Sequence, residues 1–361
     1  MNIVQVLPSL ASRDAIGVHT LNLDAALRAA GIETAIYYGN AGNDVADRGL
    51  PLTQLDRSDA HRIILYHASI GSPVVGTLET SAGILALNYH NITPARLLAR
   101  WAPGLGYEVS LGRAQLSDLA GRTRFALADS EFNRRELVDL GYRTTETAPL
   151  LLNMRQADAS CDDALLTALK SIPDQGPRFL FVGKVAPHKA PHDLLAMLAA
   201  YRATYHPGAT LTLVGTPISE RYLQALESYM EDLGLSQAVT ITGSISGASL
   251  EAYWRSSDVF VCASDHEGFC VPLVEAMGHE LPIVAFAAAA IPETIADAGL
   301  VISDKAPLAF AAAVHRVVTD HDLAKALTNR GKDRVSSLDL ETATGIFMER
   351  LIRNAETALS A

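Results

Sequence analysis

The stretch DVFVCASDHEGFCVPLVEAM, residues 258–277, passes from an apolar run through a short polar loop into a helical pattern. The run 258–263 has the continuous apolar composition of a strand buried on both faces. Pro272 fits the first turn of a helix, where its missing N–H costs nothing. The stretch therefore predicts a strand–loop–helix unit of an α/β protein, with Glu267 in the loop and Glu275 about one turn into the helix.

Apolar runs of this kind recur along the whole chain and alternate with longer helical patterns, which predicts doubly wound parallel sheets. The predicted strands of the first half are 2–7, 33–38, 62–66, 84–89, 124–129 and 145–150. Those of the second half are 178–183, 210–215, 238–242, 258–263, 282–286 and 299–303. The alternation breaks around 150–177, where we predict a linker with one short helix, and so two α/β domains in tandem.

The domain boundaries follow from that break. We predict an N-terminal domain over 1–152 and a C-terminal domain over 153–339. The last segment, 339–359, reads as an amphipathic helix with no strand after it, and its pattern alone does not say which domain it packs on. Ligands of open α/β sheets bind beyond the carboxyl ends of the strands, so residues that directly follow strands are the candidates for a site.

Composition narrows the class of protein. The 361 residues are 49% hydrophobic and carry a formal net charge of -11, which disfavours a nucleic-acid binder. The three cysteines form no C-x-x-C pair, so we expect a reducing compartment and no cysteine-based zinc site. The N-terminus lacks a signal-peptide pattern, and no apolar stretch is long enough to span a bilayer, so we predict a cytoplasmic protein.

Two lysines follow the first predicted strand of the C-terminal domain. Lys184 and Lys189 lie between the strand 178–183 and a helical pattern, where helix N-terminal amides and cationic side chains favour an anion. The alternative is a pair of solvated loop lysines. Two lysines at this point favour the anion site.

The two glutamates of the opening stretch leave two interpretations open. A carboxylate accepts two hydrogen bonds and so suits a vicinal diol of a sugar or ribose, and the amides near Gly268, Phe269 and Cys270 can donate to hydroxyl or phosphate oxygens. Alternatively, Glu275 complements the helix dipole and Glu267 is solvated. Neither G-x-x-x-x-G-K-[ST] nor G-x-G-x-x-G after the first strand offers a competing nucleotide site.

Polar residues also follow strands in the N-terminal half. His67 and His90 end consecutive predicted strands, so we expect both at one sheet edge, with His67 on an acceptor side. Asp14 and His19 flank Gly17 in the loop after the first strand and are assigned to the same side, although Asp14 equally suits a helix cap. Arg96, Arg100 and Trp101 form a basic stretch that reads either as a lip for an anionic or lipid-linked acceptor or as an ordinary half-buried helix.

FVGKVAPHK (181–189), followed far downstream by EGFCVPLVE (267–275), resembles the family 4 glycosyltransferases of the bacterial cell-surface polysaccharide type. These are retaining enzymes of the GT-B fold, which has two Rossmann-like domains facing a cleft. Their E-x7-E hallmark is matched by Glu267 and Glu275, and LNYHNITP (87–94), ADSEFNRREL (128–137) and IPETI (291–295) agree with the same family.

The resemblance implies roles for individual residues. Lys184 and Lys189 would bind the diphosphate of the donor, Glu275 its ribose, and Glu267 and His90 the transferred sugar. The resemblance also implies that a final helix, about 340–361, returns to the N-terminal domain. The donor-binding residues implied in this way are Gly17, Lys184, Lys189, Glu267, Gly268, Phe269, Cys270, Val271 and Glu275, and the catalytic ones are Glu267, His90, Lys189 and Lys184.

The implied reaction moves a sugar from a nucleotide diphosphate sugar to a hydroxyl of a saccharide or lipid-linked saccharide, by attack on the face from which the diphosphate leaves. We expect a mannose-type GDP-sugar rather than a UDP-sugar, no metal or other cofactor, and peripheral contact with the inner membrane face. Two alternatives remain: a nucleotide-sugar 2-epimerase on the same architecture, and a two-domain sugar-binding protein without catalysis.

Overall fold

The computed structural model describes residues 1–12, 14–153, 160–171 and 176–360. The chain divides into two compact units, each with its own sheet. The first comprises Met1–Arg96, Gly104–Asn153 and Leu338–Ala361, and the second comprises Leu97–Pro103 and Met154–Ser337. Much of the predicted linker, at 154–159 and 172–175, lies outside the described residues, whereas the short helix predicted within it is observed as Asp163–Lys170.

The described residues form a seven-stranded sheet in the first unit and a six-stranded sheet in the second, and every strand pairing is parallel. The strands of the first sheet are β1 (Asn2–Leu10), β2 (Glu33–Ala41), β3 (Leu50–Pro51), β4 (Ile63–Ala68), β5 (Ile84–Tyr89), β6 (Phe125–Ala128) and β7 (Thr145–Thr147). Those of the second are β8 (Arg178–Val182), β9 (Thr210–Val214), β10 (Val239–Gly243), β11 (Val259–Cys262), β12 (Ile283–Phe286) and β13 (Leu300–Ile302).

Helices connect these strands, as parallel pairing requires. They are α1 (Ala15–Ala29), α2 (Val74–Glu79), α3 (Pro103–Leu119), α4 (Glu131–Asp139), α5 (Asp163–Lys170), α6 (Pro191–Thr204), α7 (Glu220–Asp232), α8 (Gly247–Ser256), α9 (Val271–Gly278), α10 (Ile291–Ile295), α11 (Pro307–Thr319), α12 (His321–Ser337) and α13 (Leu340–Leu359). None of the helices in the described part of the chain has both the length and the apolar character needed to cross a membrane.

The strand orders explain where a ligand would bind. The first sheet runs β3-β2-β1-β4-β5-β6-β7 and the second β10-β9-β8-β11-β12-β13, so the prediction of two Rossmann-like parallel sheets is confirmed. The direction of winding reverses between β1 and β4 in the first sheet and between β8 and β11 in the second. Loops that leave the carboxyl ends of such strands diverge and open a crevice between them.

The apolar runs place the strands correctly because central parallel strands are covered on both faces. Every described residue of β4, β6 and β11 is buried. The sequence missed only β3, a two-residue edge strand whose Leu50 and Pro51 are both exposed. An edge strand of that length buries no apolar run, so it leaves no signal in the sequence.

The final helix packs within the first unit. The buried side chains of Ala343, Phe347 and Leu351 on α13 lie in one apolar cluster with Leu23 and Leu27 of α1. Polar contacts fix the same helix to the sheet, since the Nδ2 of its Asn354 donates to the Oε1 of Glu146 on β7 at 2.7 Å. The helix therefore covers one face of the first sheet although it follows the second unit in the chain.

The segment Leu97–Pro103 is grouped with the second unit, although the sequence places it in the N-terminal domain. Trp101 packs edge-on against Tyr222, with ring centroids 5.2 Å apart, and its carbonyl accepts a hydrogen bond from the Ser219 hydroxyl at 2.8 Å. The guanidinium groups of Arg100 and Arg221 lie 5.2 and 5.5 Å from the Trp101 ring. This half-buried indole therefore anchors the segment, which a local pattern cannot reveal.

The packing of α13 predicts a large loss of stability for Phe347→Ala. The phenyl ring is fully buried and meets the His19 ring edge-on at 5.1 Å, so its removal leaves a cavity in the first unit. We expect the free energy of unfolding to fall by about 3–5 kcal/mol. Urea unfolding followed by circular dichroism measures it. Glu356→Ala, at an exposed position of the same helix, is the matched control and should change it by less than about 0.5 kcal/mol.

Candidate functional site

The centre of the candidate site is an ion pair between two neighbouring strand ends. Lys189 follows β8 and Glu267 follows β11, and their Nζ and Oε2 atoms lie 2.5 Å apart. The Ser264 hydroxyl donates to the other oxygen of Glu267, Oε1, at 2.8 Å. Only 7% of the Glu267 side chain is exposed, so both partners hold a carboxylate that water barely reaches.

The backbone around the pair has the same form on both sides. Ala190 and Cys270 have left-handed backbones, with φ of 48° and 72°, and each immediately precedes a helix with proline at its first or second residue. A positive φ is uncommon for residues other than glycine and asparagine. These turns present the N-termini of α6 and α9, where free amides and the helix dipole favour an anion.

The electrostatics of Lys189 depend on the groups that face it. Burial by itself would lower the pKa of this lysine, but the Glu267 carboxylate and the Cys270 and Cys262 thiols raise it above its ordinary value. Lys189 is therefore a fixed ammonium group at this site. Lys184, by contrast, is exposed, and it forms no ion pair with the described residues, so its charge is free to meet a ligand.

Glu275 lies one turn into α9, where it is half-buried, and its carboxylate accepts no hydrogen bond from any described residue. Burial raises the pKa of Glu275, and the nearby His279 opposes that shift. His279 is held in turn by Glu251, whose Oε2 lies 2.8 Å from its Nε2. A half-buried carboxylate without a protein partner is available to a ligand that supplies the donors, which agrees with the diol interpretation.

The loop between the two glutamates is held by its own backbone. The Phe269 carbonyl accepts a hydrogen bond from the Thr294 hydroxyl at 2.5 Å, and the Glu267 carbonyl accepts one from the Ala290 amide at 3.3 Å. Phe269 is buried, whereas Gly268 and Val271 are half-buried. The structure thus brings these predicted donor-binding residues to one edge of the second sheet, next to Lys189.

His188 lies in the same region, between the two lysines, and the sequence did not single it out. Burial, together with the charges of Lys189, His266 and Lys184, lowers its pKa to about 3, so the ring is neutral. Its Nδ1 is buried and has no hydrogen-bond partner among the described residues. The carbonyl of His188 accepts from the Asp265 amide at 2.8 Å, which ties the β8 loop to the β11 loop.

A third cation at this edge was also missed. Lys305 follows β13, and its Nζ contacts Asp193 at 3.0 Å and Asp265 at 2.5 Å. The same ammonium lies 4.5 Å from the centroid of the Phe286 ring. Lys305 is far from the motif in sequence, but its position directly after a predicted strand was a signal that could have been used.

The first unit gathers a separate cluster at the ends of its central strands. His67 on β4 and His90 after β5 lie with parallel rings, and their Nδ1 and Nε2 atoms are 2.9 Å apart. The Nε2 of His67 is 3.0 Å from the Oε1 of Gln5, and the Nδ1 of His90 is 2.9 Å from the Oδ2 of Asp129. Gln5 and Asp129 were not predicted, because their apolar strand contexts hide them.

Hydrogen-bond donors at the edge of the cluster fix its tautomers. The Nε2 of Gln5 donates to the Thr20 carbonyl, so its Oε1 must accept from the Nε2–H of His67. His67 Nδ1 is then an acceptor, and the hydrogen between the rings belongs to His90 Nε2. Burial lowers the pKa of His67, as His90 and His19 also do, so His67 stays neutral.

The structure places His19 and His67, which the sequence assigned to an acceptor side, in the buried interior of the first unit. Both side chains are fully buried, and all four of their ring nitrogens have hydrogen-bond partners. His19 Nδ1 accepts from the Leu151 amide and His19 Nε2 donates to Asn88, so this ring joins α1 to the sheet. The His90 side chain is itself only 1% exposed. In this structure the rings hydrogen-bond within the cluster, and the roles that the sequence assigned to them toward a sugar or an acceptor stay predictions.

Asp14 and Gly17 both lie at the start of α1, where they contribute to the local structure. Asp14 is the N-cap of α1, and its carboxylate accepts from the Gly17 amide at 3.3 Å, so the capping alternative is the one observed. Gly17 is buried in the first helical turn, and a Cβ on it would lie 1.9 Å from the Ala11 carbonyl oxygen. Close packing of the helix start against the preceding loop therefore requires glycine at this position, and the donor contact that the resemblance implied stays a prediction.

Residues 167–334 match the protein-family model described as glycosyl transferases group 1. The chain is also 28% identical over 170 residues to the GDP-mannose-dependent alpha-(1-6)-phosphatidylinositol monomannoside mannosyltransferase of Mycobacterium tuberculosis (strain CDC 1551 / Oshkosh), covering 45% of this chain and 43% of that protein. It is 29% identical over 265 residues to the D-inositol 3-phosphate glycosyltransferase of Frankia alni, covering 69% and 60%. The chain thus spans about half the length of these curated relatives.

Solved structures share the fold over nearly the whole chain. Anabaena Alr3699/HepE in complex with UDP has a TM-score of 0.74 at 16% identity, over 98% of this chain and all of that one. The sucrose-phosphate synthase of Thermosynechococcus elongatus has a TM-score of 0.72 at 19% identity, over 99% of this chain and all of that one. At such identities the likeness concerns the fold alone. The family-model match over residues 167–334 and the curated relatives agree with the resemblance to the glycosyltransferases, and the solved structures share the two-sheet fold.

The neutral, buried His188 predicts a pH dependence of stability. Between pH 6.5 and about 3 the unfolded chain binds a proton at this residue that the folded protein does not. Stability therefore falls by about 1.4 kcal/mol per pH unit from this residue as the pH drops below 6.5, with no effect above it. Urea unfolding of His188→Gln across this range should show a shallower acid slope than wild type. His321→Gln, at an exposed position, is the control and should keep the wild-type slope.

Proposed function

We propose that this chain, whose residues 167–334 form a group 1 glycosyltransferase domain, is a retaining glycosyltransferase that moves a sugar from a nucleotide diphosphate sugar to an acceptor hydroxyl. The observation that carries the proposal is the arrangement at the β8 and β11 ends. There a fixed ammonium, a free lysine, two helix N-termini and an unpartnered carboxylate lie at one sheet edge.

The chemistry required is stabilisation of a leaving diphosphate. Breakage of the glycosidic bond leaves negative charge on the diphosphate, and preorganised cations and amides lower the barrier without reorganising. Lys184, Lys189 and the N-terminus of α9 would supply that stabilisation, so the reaction needs no metal. Glu267 would face the transferred sugar, and its ion pair with Lys189 would keep its carboxylate ionised and fixed in position. Glu275 would accept hydrogen bonds from the ribose diol.

Glu275 gives the most informative test of the proposal. A ribose-binding role predicts weaker donor binding with unchanged folding stability, whereas a structural role predicts lower folding stability. The Glu275 carboxylate is half-buried, its pKa is raised by burial, and it has no hydrogen bond to a described residue, so Glu275→Ala should not lower folding stability. If it holds the ribose, the same change removes charge-assisted hydrogen bonds and weakens donor binding about 10- to 100-fold. Glu227→Ala, an exposed glutamate on α7 of the same unit, is the matched control and should leave both quantities unchanged.

The readouts are calorimetry for the donor and NMR for the sugar product, with and without EDTA. Transfer with retained anomeric configuration in EDTA supports the proposal. Inversion, or activity that EDTA abolishes, contradicts the retaining or metal-independent part. Conversion of the donor at C2 without any acceptor would instead favour the epimerase. Glu275→Ala and Lys189→Ala variants that turned over donor at the wild-type rate would refute the site.

We propose the sugar and the base of the donor from the descriptions of related proteins. Two matched mycobacterial mannosyltransferases are described as GDP-mannose-dependent, which supports a mannose-type GDP-sugar, whereas the structural neighbour Alr3699/HepE is described in complexes with UDP and UDP-glucose. The acceptor is proposed as a saccharide or lipid-linked saccharide of a cell-surface glycan. A cytoplasmic location with peripheral membrane contact stays a prediction.

A donor panel resolves the base. GDP-, UDP-, ADP- and dTDP-sugars, titrated into the full chain by calorimetry, should show the tightest binding for GDP-mannose. Binding confined to UDP-sugars would overturn the GDP assignment while leaving the glycosyltransferase proposal intact. Tight binding of free sugar, with no binding of any nucleoside diphosphate, would favour a sugar-binding protein instead.

A further inference from the structure

Two thiols flank the loop that carries Glu267. Cys262 ends β11 and Cys270 is the N-cap of α9, so the segment 263–269 is the whole connection between them. The two sulfur atoms and a Glu267 carboxylate oxygen all lie within 4.8 Å of one another. Both cysteines are free, and they are 1% and 8% exposed. Neither thiol is used by the proposed glycosyl transfer.

Cys270 occupies a backbone position that does not suit it. Its φ of 72° and ψ of 69° are left-handed, a conformation that glycine adopts without steric cost and that a residue with a Cβ resists. Strain of this kind persists where the surrounding structure holds it, and it clusters at functional sites. In this conformation the Cys270 sulfur lies within 4.8 Å of the Cys262 sulfur.

The surroundings favour a reactive sulfur on Cys262. The hydrogen bond from the Cys270 thiol lowers the pKa of Cys262, with help from the backbone amide of Ser264, although burial and Glu267 oppose it. The Ser264 hydroxyl lies 3.4 Å from the Cys262 sulfur. The hydrogen bond to Cys262 and burial raise the pKa of Cys270, although the Lys189 ammonium opposes that shift, so Cys262 is the sulfur that ionises first. Thiolates beside a cation are the species that oxidants attack.

We propose that Cys262 and Cys270 are a redox-active pair that a hydroperoxide oxidises to an intramolecular disulfide, and that this oxidation disables the donor site. The second half of the statement rests on the proposed function, whereas the first half is chemistry of the two thiols alone.

The reaction balances with peroxide as the only oxidant. The Cys262 thiolate attacks one peroxide oxygen, the S–O bond forms as the O–O bond breaks, and the leaving hydroxide takes a proton to become water. The Cys270 sulfur, after losing its proton, attacks the resulting sulfenic acid at Cys262. The S–S bond forms, the S–O bond breaks, and a second water leaves. The two sulfurs together lose two electrons, and the peroxide gains them.

Oxidation would pull on the loop that holds Glu267. A disulfide requires its two sulfurs to be about 2 Å apart, closer than two free thiols can approach each other. The end of β11 and the start of α9 must therefore draw together across 263–269. The contacts of Glu267 with Ser264 and Lys189 depend on the present path of that segment. The ion pair at the donor edge is then the first contact to be lost.

The test uses the full chain with Cys161→Ser, which leaves only this pair of cysteines. After hydrogen peroxide treatment and quenching, the protein is unfolded, alkylated and analysed by peptide mass mapping. We expect one intramolecular link between residues 262 and 270, no alkylation at either, and full recovery of both thiols with dithiothreitol. Free thiols after a treatment that oxidises glutathione, sulfinic acid without a link, or links between molecules would each overturn the proposal.

Calorimetry with GDP and UDP tests the consequence. Oxidised protein should bind the nucleotide at least about tenfold more weakly than reduced protein, and dithiothreitol should restore the affinity. Cys262→Ser should bind nucleotide with an affinity that peroxide does not change. A disulfide that forms while affinity is unchanged overturns the link to the donor site. If the reduced protein binds no nucleoside diphosphate, the proposed function fails, and the redox pair still stands or falls on the mass mapping.

Discussion

The second unit depends on one constraint: a buried carboxylate has to be paired. Glu267 is nearly inaccessible to water and is neutralised by Lys189, which the adjacent loop presents at 2.5 Å. Removal of either charge would leave the other desolvated, which costs more than the pair contributes. The two loops after β8 and β11 are therefore coupled. The strained backbones of Ala190 and Cys270, and the helix starts that follow them, are held in register by that coupling.

The first unit also buries polar side chains, but it pairs them with one another rather than with a lysine. Its central strands carry polar side chains into a buried region, and each finds a partner in another: Gln5, His67, His90 and Asp129 form one continuous line of contacts. Partners of this kind make buried polar groups tolerable in a sheet core, although the Oδ1 of Asp129 is buried without a hydrogen-bond partner among the described residues. Because the ring nitrogens of His67 and His90 hydrogen-bond within the cluster, their side chains have almost no surface exposed to solvent. The contacts with His67 and Asp129 fix the position and the orientation of the His90 ring.

The motif residues were predictable because their chemistry is local. The apolar run before Glu267, Pro272 in the first turn and the lysines after 178–183 each follow from a few neighbouring residues. Asp14 was ambiguous for the same reason, since a cap and a ligand use the same carboxylate. His19 and His67 were assigned to the ligand side because the sequence shows strand ends but not depth. Lys305 and Asp129 escaped notice because their partners are far away in the chain.

The sequence by itself determined the alternation of strands and helices, the two parallel sheets and the two stretches that carry lysine and glutamate, because periodicity and turn chemistry are read over short windows. Only the tertiary structure decided that β8 and β11 are neighbours, which brings Lys189 to Glu267, and that Cys262 faces Cys270. It also decided that Trp101 packs with the second unit and α13 with the first. Strand order and burial depend on pairings between distant residues, which no local pattern records.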